Sequence, residues 1–132
     1  MVSIPANVIS FLRRPESVKV MSTSSNDGVP HVIVCGSISV IDESTIGVGE
    51  VMMRVTSENL RANGRAEFLA VSGADAYQID AKVREYQTEG AFLDELNVKL
   101  DRKHLKAKAL WVFDVTGVTV ASASHEAGKK IA

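Results

Sequence analysis

The stretch Met53-Arg54-Val55-Thr56-Ser57-Glu58-Asn59-Leu60-Arg61-Ala62-Asn63-Gly64-Arg65 holds the residues whose types and spacing best suit an anion. Thr56 reads as an N-cap, Ser57-Glu58-Asn59 as a first turn, Leu60 as the buried residue and Gly64 as the left-handed terminator. The result is a helix of about two turns. A helix start presents backbone N–H groups with no intrahelical partner. Here two hydroxyls accompany them, and two residues before Thr56 stands the Arg54 guanidinium, which forks readily onto an anion. A phosphate fits that set. An ordinary capped helix with Arg54 in water fits it too, and Glu58 opposes a bound phosphate, so the residues alone leave both readings open.

Other chemistry-bearing residues point to plainer roles. His31, His104 and His125 lie far apart in the sequence, and none stands at helical spacing from a second metal ligand. Cys35 lies among apolar residues in a β-branched run and reads as a small buried hydrophobe rather than a nucleophile. Gly47-Val48-Gly49 begins like a dinucleotide fingerprint, but Met52 stands where the third glycine belongs and no long helix follows. Lys99, Arg102, Lys103, Lys106 and Lys108 form a basic run at the end of a segment that starts with Asp94 and Glu95. That is the charge order of a solvated helix matched to its dipole.

The elements that must position these residues are mostly strands. Ile4 to Arg14, with apolar residues at 4, 8, 9, 11 and 12, predicts a helix capped by Ser3 and stopped by Pro15. Val18 to Ser24 predicts a strand, joined by the Asn26-Asp27-Gly28 turn to a second long strand, His31 to Ile41, with Gly36 in its middle. Asp42-Glu43-Ser44 turns the chain into a short strand, Thr45 to Gly49, and further strands follow around Phe68 and Tyr77. The alternation of Tyr77, Ile79, Ala81 and Val83 with Gln78, Asp80, Lys82 and Arg84 marks a strand with one wet face. Gly90 opens a helix with Phe92, Leu93, Leu96 and Leu100 on one face. A last strand runs from Ala107 to Ala121, bent at Gly117, and the tail after Ser124 is expected to fray. The fold class is therefore mainly β, a small closed or partly closed barrel of about six antiparallel strands with short peripheral helices. Missing strand-helix-strand repeats argue against a doubly wound nucleotide fold.

Length and composition agree. A chain of 132 residues, 45% hydrophobic, is read as one domain spanning residues 1–132 with enough length for its own core. Fifteen basic against sixteen acidic side chains leave a net charge of −1, so no basic field gathers nucleic acid or anionic lipid. One cysteine allows no internal disulfide, and no apolar run approaches the roughly 18 residues of a membrane span. A cytoplasmic protein is the expectation.

Several of these features occur in a telling order: Asn26-Asp27-Gly28-Val29-Pro30-His31 before a long strand, then Thr45-Ile46-Gly47-Val48-Gly49, Arg54-x-Thr56, and Asn59-Leu60-x-x-Asn63 leading into the strand of Phe68. Together they resemble the pyridoxamine 5'-phosphate oxidase-like family of FMN-binding split barrels, especially its short FMN-binding and flavoredoxin-like members. The resemblance is good over Val18 to Val71 and looser elsewhere. It implies a six-stranded antiparallel split barrel, assembled as a homodimer with FMN at the subunit interface. By position in the motif, Arg54 and Thr56 would hold the FMN phosphate, with Ser57 and Asn59 supporting it or the ribityl chain. Val34, Cys35, Gly36 and Ser37 would run along the isoalloxazine ring, with Val48 and Gly49 nearby, and Gly36 would let the flat ring approach the backbone. Trp111 is the candidate interface aromatic beside the cofactor, its alternative being a core residue. The chain departs from true pyridoxamine phosphate oxidases in lacking their longer substrate-binding C-terminal region, so that reaction is not expected. Val34 and Cys35 also make the ring strand more apolar than is usual in the family.

The leading functional expectation is a small FMN-dependent oxidoreductase passing electrons or hydride through the flavin, with unnamed donor and acceptor. A bound flavin carries that chemistry itself, in keeping with a sequence that shows no acid-base dyad. The alternatives are a non-catalytic flavin-binding or storage module, a relative using a deazaflavin or heme, and a barrel serving only as an interaction module.

Overall fold

A computed structural model describes all residues, Met1–Ala132. In chain order the elements are α1 (Ala6–Arg13), β1 (Val18–Ser24), β2 (Pro30–Val34), β3 (Ile38–Asp42), β4 (Thr45–Gly49), α2 (Arg54–Asn63), β5 (Arg65–Ser72), β6 (Asp75–Gln87), α3 (Ala91–Asp101) and β7 (Leu110–Val120). The strands form one antiparallel sheet in the order β2-β1-β5-β6-β7-β4-β3. Its two outermost strands, β2 and β3, are separated in sequence by Cys35-Gly36-Ser37 alone. Four residue steps reach at most about 14 Å, so the sheet has to curl until its edges meet, and a split barrel results.

The strand expected over His31 to Ile41 is thus two strands, and the ladder has seven members where the sequence predicted six. The break has a physical cause: at residues 35–37 the chain leaves β1 for β4. The Cys35 N–H still donates to the Lys19 carbonyl of β1 at 2.9 Å, while the Ser37 hydroxyl already donates to the Gly49 carbonyl of β4 at 3.2 Å.

The barrel interior holds Met21, Ile46, Val48, Phe68, Ile79, Phe113, Val115 and Val118, all nearly or wholly buried. Phe68 and Phe113 meet edge to face at 5.3 Å. Val8, Phe11 and Leu12 of α1 join the same core. The predicted Ser3 cap is not used. Pro5 holds the N-cap position, and its carbonyl accepts the N–H groups of Val8 and Ile9. A second, smaller core lies outside the barrel, where Leu93, Leu96 and Leu100 of α3 cover Ala107, Leu110 and Val112. Phe92 is half exposed and lies outside that buried cluster.

Strand β4 is buried along its whole length because it is covered on both sides. Ile46 and Val48 point into the barrel, whereas Gly47 and Gly49 lie against the smaller core. A Cβ on Gly49 would fall 2.4 Å from Leu96 Cδ2 and 3.1 Å from Ala107 Cβ. The Gly-Val-Gly motif is therefore a packing device.

In the last strand Thr116 forms a bulge, its neighbours Val115 and Gly117 pairing with Ala81 and Asp80 of β6. The tail does not fray. Ile131 donates to the Val118 carbonyl at 2.8 Å and Gly128 to Val120 at 2.8 Å, so the last residues return along β7. No helix is long and apolar enough to cross a membrane.

Candidate functional site

Helix α2 begins earlier than its sequence pattern suggests. Met53 is the N-cap residue and Arg54, Val55 and Thr56 form the first turn, with the Ser57 N–H donating to the Met53 carbonyl at 2.9 Å. The predicted N-cap, Thr56, lies inside the helix instead, because Met53 is where the backbone takes a non-helical conformation. Gly64 ends the helix with φ of 70° as expected, and its N–H donates to Leu60 at 2.8 Å. No side chain caps the start, so the first N–H groups remain available. Thr56 is buried and its hydroxyl has no hydrogen-bond partner, an arrangement that costs free energy unless something answers it.

Two concavities meet at the loop before this helix. A polar pocket of about 470 Å³ is walled by Glu50, Arg54, Ser57, Glu58, Arg61 and Lys108, and a mostly apolar recess of about 200 Å³ by Ile33 to Ser37, Gly49, Leu100, Lys103 and Leu105. Val51, Met52 and Met53 line both. Gly36 sits in the recess without a structural reason to be glycine: its φ is ordinary, and a Cβ there would meet nothing within 4 Å. That space is open to a flat group lying on the backbone.

The sequence-predicted residues divide accordingly. Val34, Cys35, Gly36, Ser37 and Gly49 line the recess, and Arg54 and Ser57 line the pocket. Thr56 and Asn59 line neither. The Asn59 amide is committed to the Thr23 hydroxyl of β1 at 3.0 Å, which ties α2 to the barrel. Val48 is wholly buried in the barrel core. Trp111 is also buried, tilted against Tyr86 with ring centroids 4.5 Å apart, and its indole N–H is the second buried group without a partner. Within the single chain it is a core aromatic. Burial pushes the Cys35 thiol up, outweighing its contact with the Ser37 hydroxyl, so Cys35 stays a neutral thiol in the recess wall.

One functional group escaped the sequence reading. Glu50, immediately after β4, is nearly buried, and donors from three directions converge on it. Its Oε1 accepts from the Ser57 hydroxyl at 2.6 Å and from Arg61 at 3.4 Å, with Lys108 Nζ at 3.9 Å, while Oε2 accepts from the Tyr86 hydroxyl. Burial alone would raise its pKa. The donors win, and the carboxyl is held below its ordinary range, while the same bond raises the Tyr86 phenol. The available signal was a lone acid closing a strand otherwise made of apolar residues, glycines and threonine.

The family model for pyridoxamine 5'-phosphate oxidase matches residues 4–127. This chain belongs to the pyridoxamine 5'-phosphate oxidase family. Solved structures with the same fold include HupZ of Group A Streptococcus, 20% identical over 95% of this chain and 99% of that one, with a TM-score of 0.78. An FMN-binding protein from Syntrophomonas wolfei is 18% identical, covering 90% and 84%, with a TM-score of 0.77. An F420 reductase is 20% identical, covering 88% and 98%, with a TM-score of 0.68. No curated protein matches the chain in sequence. As a pyridoxamine 5'-phosphate oxidase-family barrel, it keeps the expected split-barrel architecture, with the edges of the sheet joined at Gly36.

Proposed function

We propose that the chain binds FMN and serves as a small oxidoreductase, with the isoalloxazine ring in the recess at Gly36 and the phosphate at the start of α2. The carrying observation is the junction of an apolar recess, open at Gly36, with a polar pocket at an uncapped helix start. The residues fit the group. Arg54 forms no ion pair with any carboxylate of the chain and faces the pocket, beside the uncapped start of α2. A bound flavin supplies the electron or hydride transfer. The chain's own part is to bind the phosphate through Arg54 and the α2 amides, to orient the ring on the 35–37 backbone, and to shield one face from water with Met52 and Leu105.

The same proposal includes a homodimer. Val34, Val20 and Leu69 are neighbours across β2, β1 and β5, and Val18 and Val32 extend the row on the outer face. Val18, Val32 and Val34 are 54%, 60% and 79% exposed, and such a contiguous apolar face is what a second copy would cover.

The test is a visible spectrum of the purified protein followed by titration of the cofactor-free form. Two flavin bands, or saturation near one FMN per chain, is the expected result. Loss of affinity in Arg54→Ala would place the phosphate. A colourless protein that ignores FMN overturns the proposal. The deazaflavin is titrated in parallel, because an F420 reductase shares this fold.

A further inference from the structure

Three cations surround the polar pocket, yet two of them are already engaged. Arg61 and Lys108 are drawn to Oε1 of Glu50, the same oxygen that holds the Ser57 hydroxyl. With Arg54, Arg61 and Lys108 against Glu50 and Glu58, the walls carry a net of only one positive charge. The donors around Glu50 are of the kinds that hold a phosphate: a hydroxyl, a guanidinium and an ammonium. Glu50 thus occupies, as part of the chain, the place an anion would take among them. A phosphate dianion drawn to the same cations would have to sit beside a nearly buried carboxylate, and like charges in such a place oppose each other strongly. A neutral polyol has the opposite relation to Glu50, since its hydroxyls can donate to the carboxylate.

We infer that Glu50 determines specificity for the ligand's tail: by holding Ser57, Arg61 and Lys108, it reduces the advantage of a phosphorylated flavin over one with an uncharged polyol tail. This rests on the flavin-binding proposal and deepens it, leaving Arg54 and the α2 amides as the free phosphate contacts. A purely structural Glu50, bracing β4, α2 and β6 together, would affect both kinds of ligand alike.

The experiment titrates FMN and riboflavin against the wild-type protein and Glu50→Gln, following quenching of flavin fluorescence. The wild type is expected to prefer FMN by no more than about tenfold; a larger preference overturns the inference, and this measurement needs no variant to fold. Glu50→Gln removes the charge while keeping one acceptor oxygen for Ser57 or Tyr86, and its amide N–H can donate to the other hydroxyl. It is expected to gain about tenfold or more for FMN, with riboflavin affinity unchanged within about threefold. Equal shifts for both ligands, or weaker FMN binding, overturn it.

A flavin-free measurement separates the two proposals. Inorganic pyrophosphate should raise the melting temperature of Glu50→Gln more than that of the wild type. If neither flavin binds either protein, the flavin proposal fails and takes the tail specificity with it, and the pyrophosphate result then decides only whether Glu50 excludes an anion from the pocket. Greater protection of the variant supports it; equal protection of both proteins, or none, refutes it.

Discussion

Two glycines in one recess make opposite demands, and substituting them separates ligand geometry from packing. At Gly36 a Cβ meets nothing within 4 Å and the backbone φ suits any residue. Gly36→Ala should therefore leave the cofactor-free protein as stable as the wild type, or more stable by about 0.4–1 kcal/mol, because alanine narrows the unfolded ensemble. At Gly49 the new Cβ would lie 2.4 Å from Leu96 Cδ2 and 3.1 Å from Ala107 Cβ. Leu96 can rotate partly away but the alanine methyl cannot, so Gly49→Ala should cost about 1–3 kcal/mol, the usual penalty of overpacking. Ligand binding should invert the ranking. Gly36→Val fills the space proposed for the ring, and FMN affinity should fall by at least about tenfold, equivalent to roughly 1.4 kcal/mol. Equilibrium urea unfolding, followed by the fluorescence of the sole, buried Trp111, gives the stabilities, and flavin quenching gives the affinities. Gly36→Val binding FMN like the wild type would refute the ring placement. Gly36→Ala as damaging as Gly49→Ala would refute the packing account.

Thr56→Val replaces a buried, unpartnered hydroxyl by a methyl group of the same shape, so the cofactor-free protein should gain about 1 kcal/mol in urea unfolding; a loss of stability would show that the hydroxyl already has a partner. Glu50 is more acidic folded than free, so its contribution is complete above the unfolded pKa of about 4.3 and is lost as pH falls through the lower folded value. The stability gap between wild type and Glu50→Gln should thus be level from about pH 6 to 8 and shrink below about pH 4.5; a gap that widens in acid would contradict this sign. Val34→Lys, on a residue 79% exposed, should halve the mass seen in sedimentation without changing the fold by circular dichroism; an unchanged mass would remove β2 from the proposed interface.

Much of the architecture was legible because it depends on local periodicity. The alternation from Tyr77 to Arg84, the Asp27-Gly28 turn with φ of 85° at the glycine, and the stops at Pro15 and Gly64 each report a backbone preference of the residues themselves. Errors arose where a long-range partner overrules local preference. Thr56 is a good N-cap residue by type, yet Met53 takes that position and Thr56 turns inward, since a buried face of α2 must also seat Asn59 against Thr23 and Leu60 in the core. The strand over His31 to Ile41 is uniformly β-forming, and nothing local says that it changes partners at Gly36.

By itself, then, the sequence determined the element types and the mainly β class, because each is written in spacing and residue type over short windows, and the order of its motifs carried the resemblance to the family. Tertiary structure decided which residues share a site. Gly36 and the start of α2 become neighbours only when the sheet closes, and Gly49 has no room for a Cβ because Leu96 arrives there from far along the chain. Glu50, Ser57, Tyr86, Arg61 and Lys108 come from separate segments with no common spacing. Electrostatic coupling depends on distance and burial, and those exist only in the folded chain.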